Sequence, residues 1–262
     1  TGRYGPSQSQ VNSAYSGTSL AGNVISNSGI QEWVVPATGT YTIECYGAGN
    51  GLAGGAQIIG DILLTSGDIL DILVGQQGNG SGGNGGTFIS LNGSPLFVAG
   101  GSSGLGGPGL ATFGGTGHGG AADFQGCETS GGGGWYTNGE NSSNSFGGLS
   151  YLNGGVGGQG SYCGSYGSND GGFGSGGGGG HPVNAGGGGG YNGGNGQWTG
   201  AGIGGTSNRS GTNQNNSSGV NSWDGYVIIS GNINQITYGC IDTSAFNYDP
   251  LACVDDGSCI AK

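Results

Sequence analysis

The chain is poor in positive charge: 3 of its 262 residues are Lys or Arg, against 14 Asp or Glu. Proteins bind nucleic acid through clustered basic side chains, so we expect no nucleic-acid partner. The net charge of -11 favours a basic protein partner or divalent cations, and plain solubility explains it equally well. No apolar run approaches the roughly 20 residues of a membrane span, so we expect no membrane insertion. Methionine is absent even at position 1, which suggests a processed product or a fragment of a longer protein.

Glycine is the most abundant residue, with 73 copies. It is densest over residues 171–205, which contain uninterrupted runs at 176–180 and 186–190. A flexible linker is one explanation for such composition. However, aromatic residues such as Trp135, Phe173 and Tyr191 recur through these segments, and disordered chains are poor in aromatics. We therefore expect ordered structure.

Glycine disfavours both α-helices and strands, which leaves the extended helix with three residues per turn. The N–H and C=O groups of that helix point outward and must bond neighbouring segments. No strict Gly-X-Y period runs through the chain, so collagen is excluded. The sequence therefore predicts a bundle of polyglycine-II helices. Ordering this backbone costs about as much as its hydrogen bonds return, so a conventional scaffold has to hold the helix ends.

Alternating apolar and polar residues predict that scaffold. Residues 30–46 form a predicted hairpin around a turn at 36–39, residues 56–74 a second strand pair, and residues 86–99 a third pair around Asn92 and Gly93. A last strand is predicted at 226–230, and residues 1–28 are expected to be mostly irregular. The fold class is therefore all-β, an antiparallel sandwich whose glycine-rich insertions occupy about residues 100–223. We divide the chain into a domain at 1–235 and a small module at 236–262, here called the tail.

Motifs for catalysis are weak. Gly78, Gly80 and Gly83 match a dinucleotide fingerprint, and a nucleophile-elbow pattern spans residues 100–104, but glycine spacings arise by chance in this composition. The two histidines, His118 and His181, lie in separate glycine-flanked loops, so a zinc site would require distant loops to meet. We expect no enzyme activity, because an active site needs convergent acid, base and stabilising groups.

The six cysteines indicate an oxidising compartment. We expect Cys127 to pair with Cys163. Two of the three tail cysteines should pair with each other, and the third should pair with Cys45. Cys45 shares its strand face with core candidates, so it is alternatively an inert buried thiol. The tail cysteines are Cys240, Cys253 and Cys259.

The tail also carries oxygen-bearing side chains at short spacing, as calcium requires. Their order does not match an EF-hand, and the alternative is turn formation, in which Asp and Asn side chains bond their own backbone. The candidate calcium ligands are Asp242, Asn247, Asp249, Asp255 and Asp256.

Several segments of residues 2–230 resemble the glycine-rich extracellular domain of the anaplastic lymphoma kinase and leukocyte tyrosine kinase receptor family. The resemblance implies a tumour-necrosis-factor-like, jelly-roll-like sandwich with a packed array of polyglycine-II helices. The chain departs from the receptors after residue 231, where its tail is similar to short repeats ending surface proteins of marine microbes and their viruses. The segments that carry the resemblance are GPSQSQ at 5–10, Asn12, AY at 14–15, GIQ at 29–31, Trp33, VPAT at 35–38, TY at 40–41, YGA at 46–48, ILVGQQG at 72–78, GGGY at 188–191, GGN at 193–195 and DG at 224–225.

Our leading hypothesis is a non-catalytic structural or adhesive protein, secreted or on a cell or virion surface, that self-assembles into a fibre, filament or spike. The tail is hypothesised to mediate that self-association. The alternative is a ligand-binding module of a receptor-like protein, which engages a basic protein partner or another cell-surface receptor.

Overall fold

A computed structural model describes residues 2–113, 115–125, 127–161, 169–180, 183–197, 204–232, 238–249, 254–255 and 257–261. Its regular structure is nearly all strand, and the helices are α1 (Gln8–Ala14) and one 3-10 turn (Tyr151–Asn153). The strands are β1 (Val24–Asn27), β2 (Ile30–Val34), β3 (Gly39–Tyr46), β4 (Gly55–Leu64), β5 (Ile69–Leu73), β6 (Thr87–Leu91), β7 (Ser94–Ala99), β8 (Asn208–Arg209), β9 (Thr212–Asn221), β10 (Tyr226–Asn232), β11 (Tyr238–Gly239) and β12 (Val254–Asp255).

The predicted antiparallel β-sandwich is confirmed. One sheet has six strands in the order β1-β2-β5-β6-β7-β8, and the other has four in the order β10-β3-β4-β9. All pairings within these two sheets are antiparallel. In the tail, β11 and β12 form a separate parallel pair.

Two of the three predicted strand pairs are wrong, because their strands belong to different sheets. β2 pairs with β1 and β5, whereas β3 pairs with β4 and β10. β4 likewise does not pair with β5. The connections at 35–38 and 65–68 cross between the sheets side by side, and the amide of Val35 donates to the carbonyl of Asp68 at 2.8 Å. Strands from both sheets turn apolar residues to one shared core, so alternation alone cannot tell a hairpin from a crossing. The third pair, β6 with β7, is confirmed.

The N-terminal segment is more regular than expected. Ser7 caps α1 by accepting a hydrogen bond from the Gln10 amide, and the Gln10 side chain bonds the Ser7 backbone in return. This capping box satisfies amides at the start of the helix. α1 packs beside β1, which forms one edge of the six-stranded sheet.

Two apolar clusters cover the opposite faces of the six-stranded sheet. Between the sheets, Ile43, Ile58, Leu70, Ile89 and Phe97 are fully buried. The second cluster joins side chains on the other face of the six-stranded sheet to aromatics from the glycine-rich region. It consists of Leu73, Phe88, Val98, Trp135, Tyr151 and Phe173. The six-stranded sheet is therefore a middle layer between the four-stranded sheet and the glycine segments.

Candidate functional site

The glycine segments are bonded to one another through their backbones in steps of three residues. Gly186 and Gly189 both donate to the segment 81–84, and Gly187 and Gly190 both donate to the segment 130–133. The accepting carbonyls are also three residues apart. The N···O distances are 2.9 Å for Gly186 to Ser81, 2.9 Å for Gly189 to Asn84, 3.1 Å for Gly187 to Ser130 and 3.4 Å for Gly190 to Gly133.

The same step recurs between other segments. Gly83 and Gly86 donate to Gly177 and Gly174, each at 2.8 Å, so these two segments run in opposite directions. The bonding segments between residues 75 and 86 and between residues 100 and 207 are called the glycine array below. Because successive amides point to different neighbours, each segment is bonded on several sides.

At residues 186–190 the array has no room for side chains. A β-carbon added to any of residues 186–190 would collide with a backbone carbonyl oxygen of another segment. At Gly51, in contrast, an added β-carbon meets no atom within 4 Å. Glycine in this part of the array is thus required by close backbone approach, as in collagen.

A cleft of about 690 Å³ opens between the two sheets beside β10. Apolar and aromatic side chains form most of its walls, and Asp224 is the one charged residue among the described residues that line it. This volume lies within the range of small-ligand sites. The lining includes Tyr15, Leu20, Val24, Trp33, Ile72, Val74, Tyr226, Val227 and Ile229.

Several residues that line this cleft have polar side chains. The hydroxyl of Tyr15 donates to Oε1 of Gln31 at 2.7 Å, and burial raises the pKa of Tyr15, which keeps it a donor. Oδ1 of Asp224 accepts from the Gln77 amide at 2.7 Å. Oε1 of Gln76 is buried and has no hydrogen-bond partner among the described residues.

The predicted calcium ligands are used in tail turns where the structure describes them. The carboxylate of Asp242 accepts from the amide and hydroxyl of Ser244 at 2.8 and 2.7 Å, and these bonds lower the pKa of Asp242. Asn247 accepts from the Ile260 amide at 2.8 Å. Asp249 follows in the same tail, Asp255 lies in β12, and Asp256 lies outside the described residues. Within the described residues, no group of three or more His, Cys, Asp or Glu residues could hold a metal ion, so calcium binding stays a prediction.

The tail cysteines Cys240 and Cys259 form a disulfide with a Cα–Cα distance of 4.8 Å, which fulfils the expectation that two of them pair. Cys127 is also disulfide-bonded, but its predicted partner Cys163 lies outside the described residues, as does Cys253.

The predicted bond from Cys45 to the tail is wrong. Cys45 is a free thiol with 0% exposure in the core between the sheets. Its Sγ donates to the carbonyl of Thr87 at 3.5 Å, and burial raises its pKa. A tail cysteine cannot reach a side chain enclosed by both sheets, and the alternative interpretation as an inert core thiol is the right one.

The residues of the weak dinucleotide-binding and nucleophile-elbow motifs have structural roles. The hydroxyl of Ser102 is fully buried and accepts from Nδ2 of Asn84 at 2.8 Å. Gly83 lies inside the glycine array, and no helix follows it. His118 is exposed, and His181 lies outside the described residues.

No protein-family model matches the chain. The molecule is an all-β protein with a glycine array packed on its sandwich.

Part of the chain is 39% identical over 89 residues to the mouse leukocyte tyrosine kinase receptor. The match covers 30% of this chain and 10% of the receptor, so it is consistent with the suspected family and falls short of membership. Among the described residues, no helix combines the length and apolar character needed to span a membrane.

Proposed function

We propose that this chain is a non-catalytic extracellular structural or adhesive module that associates with copies of itself. The observation that supports it most is the three-residue step of the backbone hydrogen bonds, which is the period of polyglycine-II helices. On this proposal, the glycine segments are such helices. They form a slab whose bonds are backbone bonds, seated on the sandwich by the aromatic cluster around Trp135.

Such a slab suits a mechanical or surface role. Its bonds are buried and spread over several neighbours of each segment, so local opening has to break contacts with more than one segment. This makes the module stiff and resistant to proteolysis. The extracellular location is supported by the disulfide between Cys240 and Cys259 and by the partial match to a receptor.

Electron microscopy of the purified chain tests the proposal directly, together with mass photometry at several protein concentrations. We expect regular oligomers or filaments. A population that stays monomeric at all concentrations would overturn self-assembly.

A second candidate function is a ligand-binding module of a receptor-like protein. It is favoured by the match to the mouse receptor and by the cleft beside β10. The net charge of -11 suits a basic protein partner, whose affinity would fall steeply with salt. Surface plasmon resonance of basic secreted proteins over the immobilised chain, at low and high salt, tests it. Asp224→Asn in the cleft should weaken such binding, whereas Asp61→Asn on the four-stranded sheet should leave it unchanged.

A further inference from the structure

β10 leaves one backbone edge of the four-stranded sheet open. It pairs with β3 along its whole length, and no strand among the described residues pairs with its other side. An open strand edge is a row of unpaired backbone donors and acceptors, and the group that matches it best is another strand.

The other three edges of the two sandwich sheets are protected. At β1, the Gln8 side chain donates to the carbonyl of Val24 at 3.1 Å and accepts from the amide of Ser26 at 2.7 Å. β8 is two residues long. β9 carries irregularities in its register, and its Gly219 amide is bonded to the carbonyl of Gly109 at 3.1 Å. Within the part of the chain that the structure describes, β10 has none of these forms of protection, so its edge differs from the other three.

The sequence of β10 is uncharged and rich in β-formers: Tyr-Val-Ile-Ile-Ser-Gly-Asn. Two acidic copies of one chain repel each other least where they meet at an uncharged surface. An antiparallel strand edge is also self-complementary about a two-fold axis, as the contact of a symmetric dimer has to be. These features favour a second copy of the same chain as the partner that binds this edge.

We infer that two copies pair through β10, strand against strand and antiparallel, so that a sheet with four strands from each copy runs through the dimer. This inference rests on the proposed self-assembly and names its surface. The added strand would lie over the open side of the cleft. Val227 and Ile229 already form part of the cleft wall, and the same residues of the second copy would extend that wall.

The symmetry fixes which side chains meet. A two-fold axis perpendicular to the sheet leaves each side chain on the same face of the sheet. Because directly opposed residues of antiparallel strands share a face, one residue of β10 must lie directly opposite its own copy at the axis. Ile228 is exposed by 44% on the outer face. With the axis at residue 228 or 229, the two Ile228 side chains lie opposite or diagonal to each other, about 5 to 8 Å apart.

Placing a charge at this position tests the inference. Ile228→Lys and Ile228→Glu should each fold normally, because the side chain is exposed, but each should weaken the dimer at least about tenfold by placing like charges together. An equimolar mixture of the two should restore pairing as a mixed dimer. Val220→Lys is the matched control, since Val220 lies in the opposite edge strand of the same sheet with 50% exposure and should leave the dimer intact.

Sedimentation velocity of the full chain, its variants and the mixture measures these outcomes, and thermal unfolding confirms that each variant is folded. If the wild type assembles but neither Ile228 variant changes the assembly, the β10 surface is wrong and self-assembly stands. Equal loss in Val220→Lys, or no recovery in the mixture, also refutes pairing through β10. A monomeric wild type at all concentrations refutes both this inference and the proposed function.

Discussion

A β-carbon on Gly188 would collide with the carbonyl oxygen of Gly101, which lies in a segment far away in the sequence. The obstacle is backbone rather than a movable side chain, so the two segments would have to separate. We therefore expect Gly188→Val to lower the free energy of unfolding by more than about 3 kcal/mol, above the usual cost of overpacking. Soluble yield and urea unfolding measure this effect.

The control for that variant is Gly51→Ala. A β-carbon on Gly51 would meet open space, and the backbone of Gly51 is not in the left-handed region. The free energy of unfolding of Gly51→Ala should therefore stay within about 0.5 kcal/mol of the wild-type value. Equal stability of the Gly188→Val variant would show that the glycine array is looser than its hydrogen bonds indicate.

Trp135 links the glycine array to the sandwich. It is 1% exposed and stacks on Tyr151 with ring centroids 4.3 Å apart, and Phe88 of the middle sheet lies 6.2 Å from it. Trp135→Ala should cost about 3 to 5 kcal/mol, as expected for a buried aromatic. Calorimetry should show one transition in the wild type, because array and sheet share this cluster. Tyr136→Ala is the neighbouring control, since Tyr136 is half exposed, and a loss as large as that of Trp135→Ala would contradict this view.

The strands and the aromatic anchors were predictable from the sequence because both depend on local pattern. Alternation located β3, β4, β6 and β7, and the unexpected aromatics in glycine-rich sequence pointed to order. β9 was missed because its residues are almost all polar, as befits an edge strand facing solvent and the backbone of the glycine array. Strand pairing depends on which sheet each crossing connection enters, and no local pattern encodes that.

The site was less predictable than the fold. The cleft brings Tyr15, Gln76 and Asp224 together from three distant segments, and nothing in their spacing signals it. The open edge of β10 could have been suspected from its uncharged sequence, but only the sheet order identifies it as an edge.

Asp71 on β5 lies directly across from Glu32 on β2. Burial raises the pKa of Asp71, and the Glu32 charge raises it further, while a hydrogen bond from Ser90 opposes the rise. The folded protein thus holds this proton more tightly than the unfolded chain. The stabilising contribution of protonated Asp71 is therefore lost as the pH rises from about 4, the unfolded value, through the folded pKa. Glu32→Gln should lower the pKa of Asp71 partway and raise stability at neutral pH by a few tenths of a kcal/mol.

NMR titration of the Asp71 carboxyl and urea unfolding between acid and neutral pH measure both effects. Asp71→Asn removes the titrating group and should flatten the acid side of the profile more than Glu32→Gln does. An unchanged Asp71 titration in Glu32→Gln would mean that burial accounts for the whole shift.

The thiol of Cys45 should be unreactive in the folded protein. Its thiol is enclosed by both sheets, and burial disfavours the reactive thiolate. Iodoacetamide at mildly alkaline pH should leave Cys45 unmodified in the native chain and alkylate it in guanidinium chloride, as read by peptide mass spectrometry. Cys45→Ala should leave the Cys240–Cys259 bond in place. Native alkylation of Cys45, or a peptide linking it to the tail, would refute the buried free thiol.

The tail and the β10 edge make opposite predictions about assembly. Among the described residues, neither apolar cluster contains one beyond Ile229. A chain that ends after Asn232 also keeps all strands of both sheets, so it should unfold at nearly the wild-type temperature. If β10 is the interface, this truncated chain assembles as the complete chain does, and calcium has no effect on either. If the tail is the clamp, truncation yields smaller species, and calcium strengthens assembly of the complete chain only. Sedimentation velocity of both chains, with calcium and with a chelator, separates the two, and the Cys240→Ala, Cys259→Ala double variant shows whether the tail needs its disulfide.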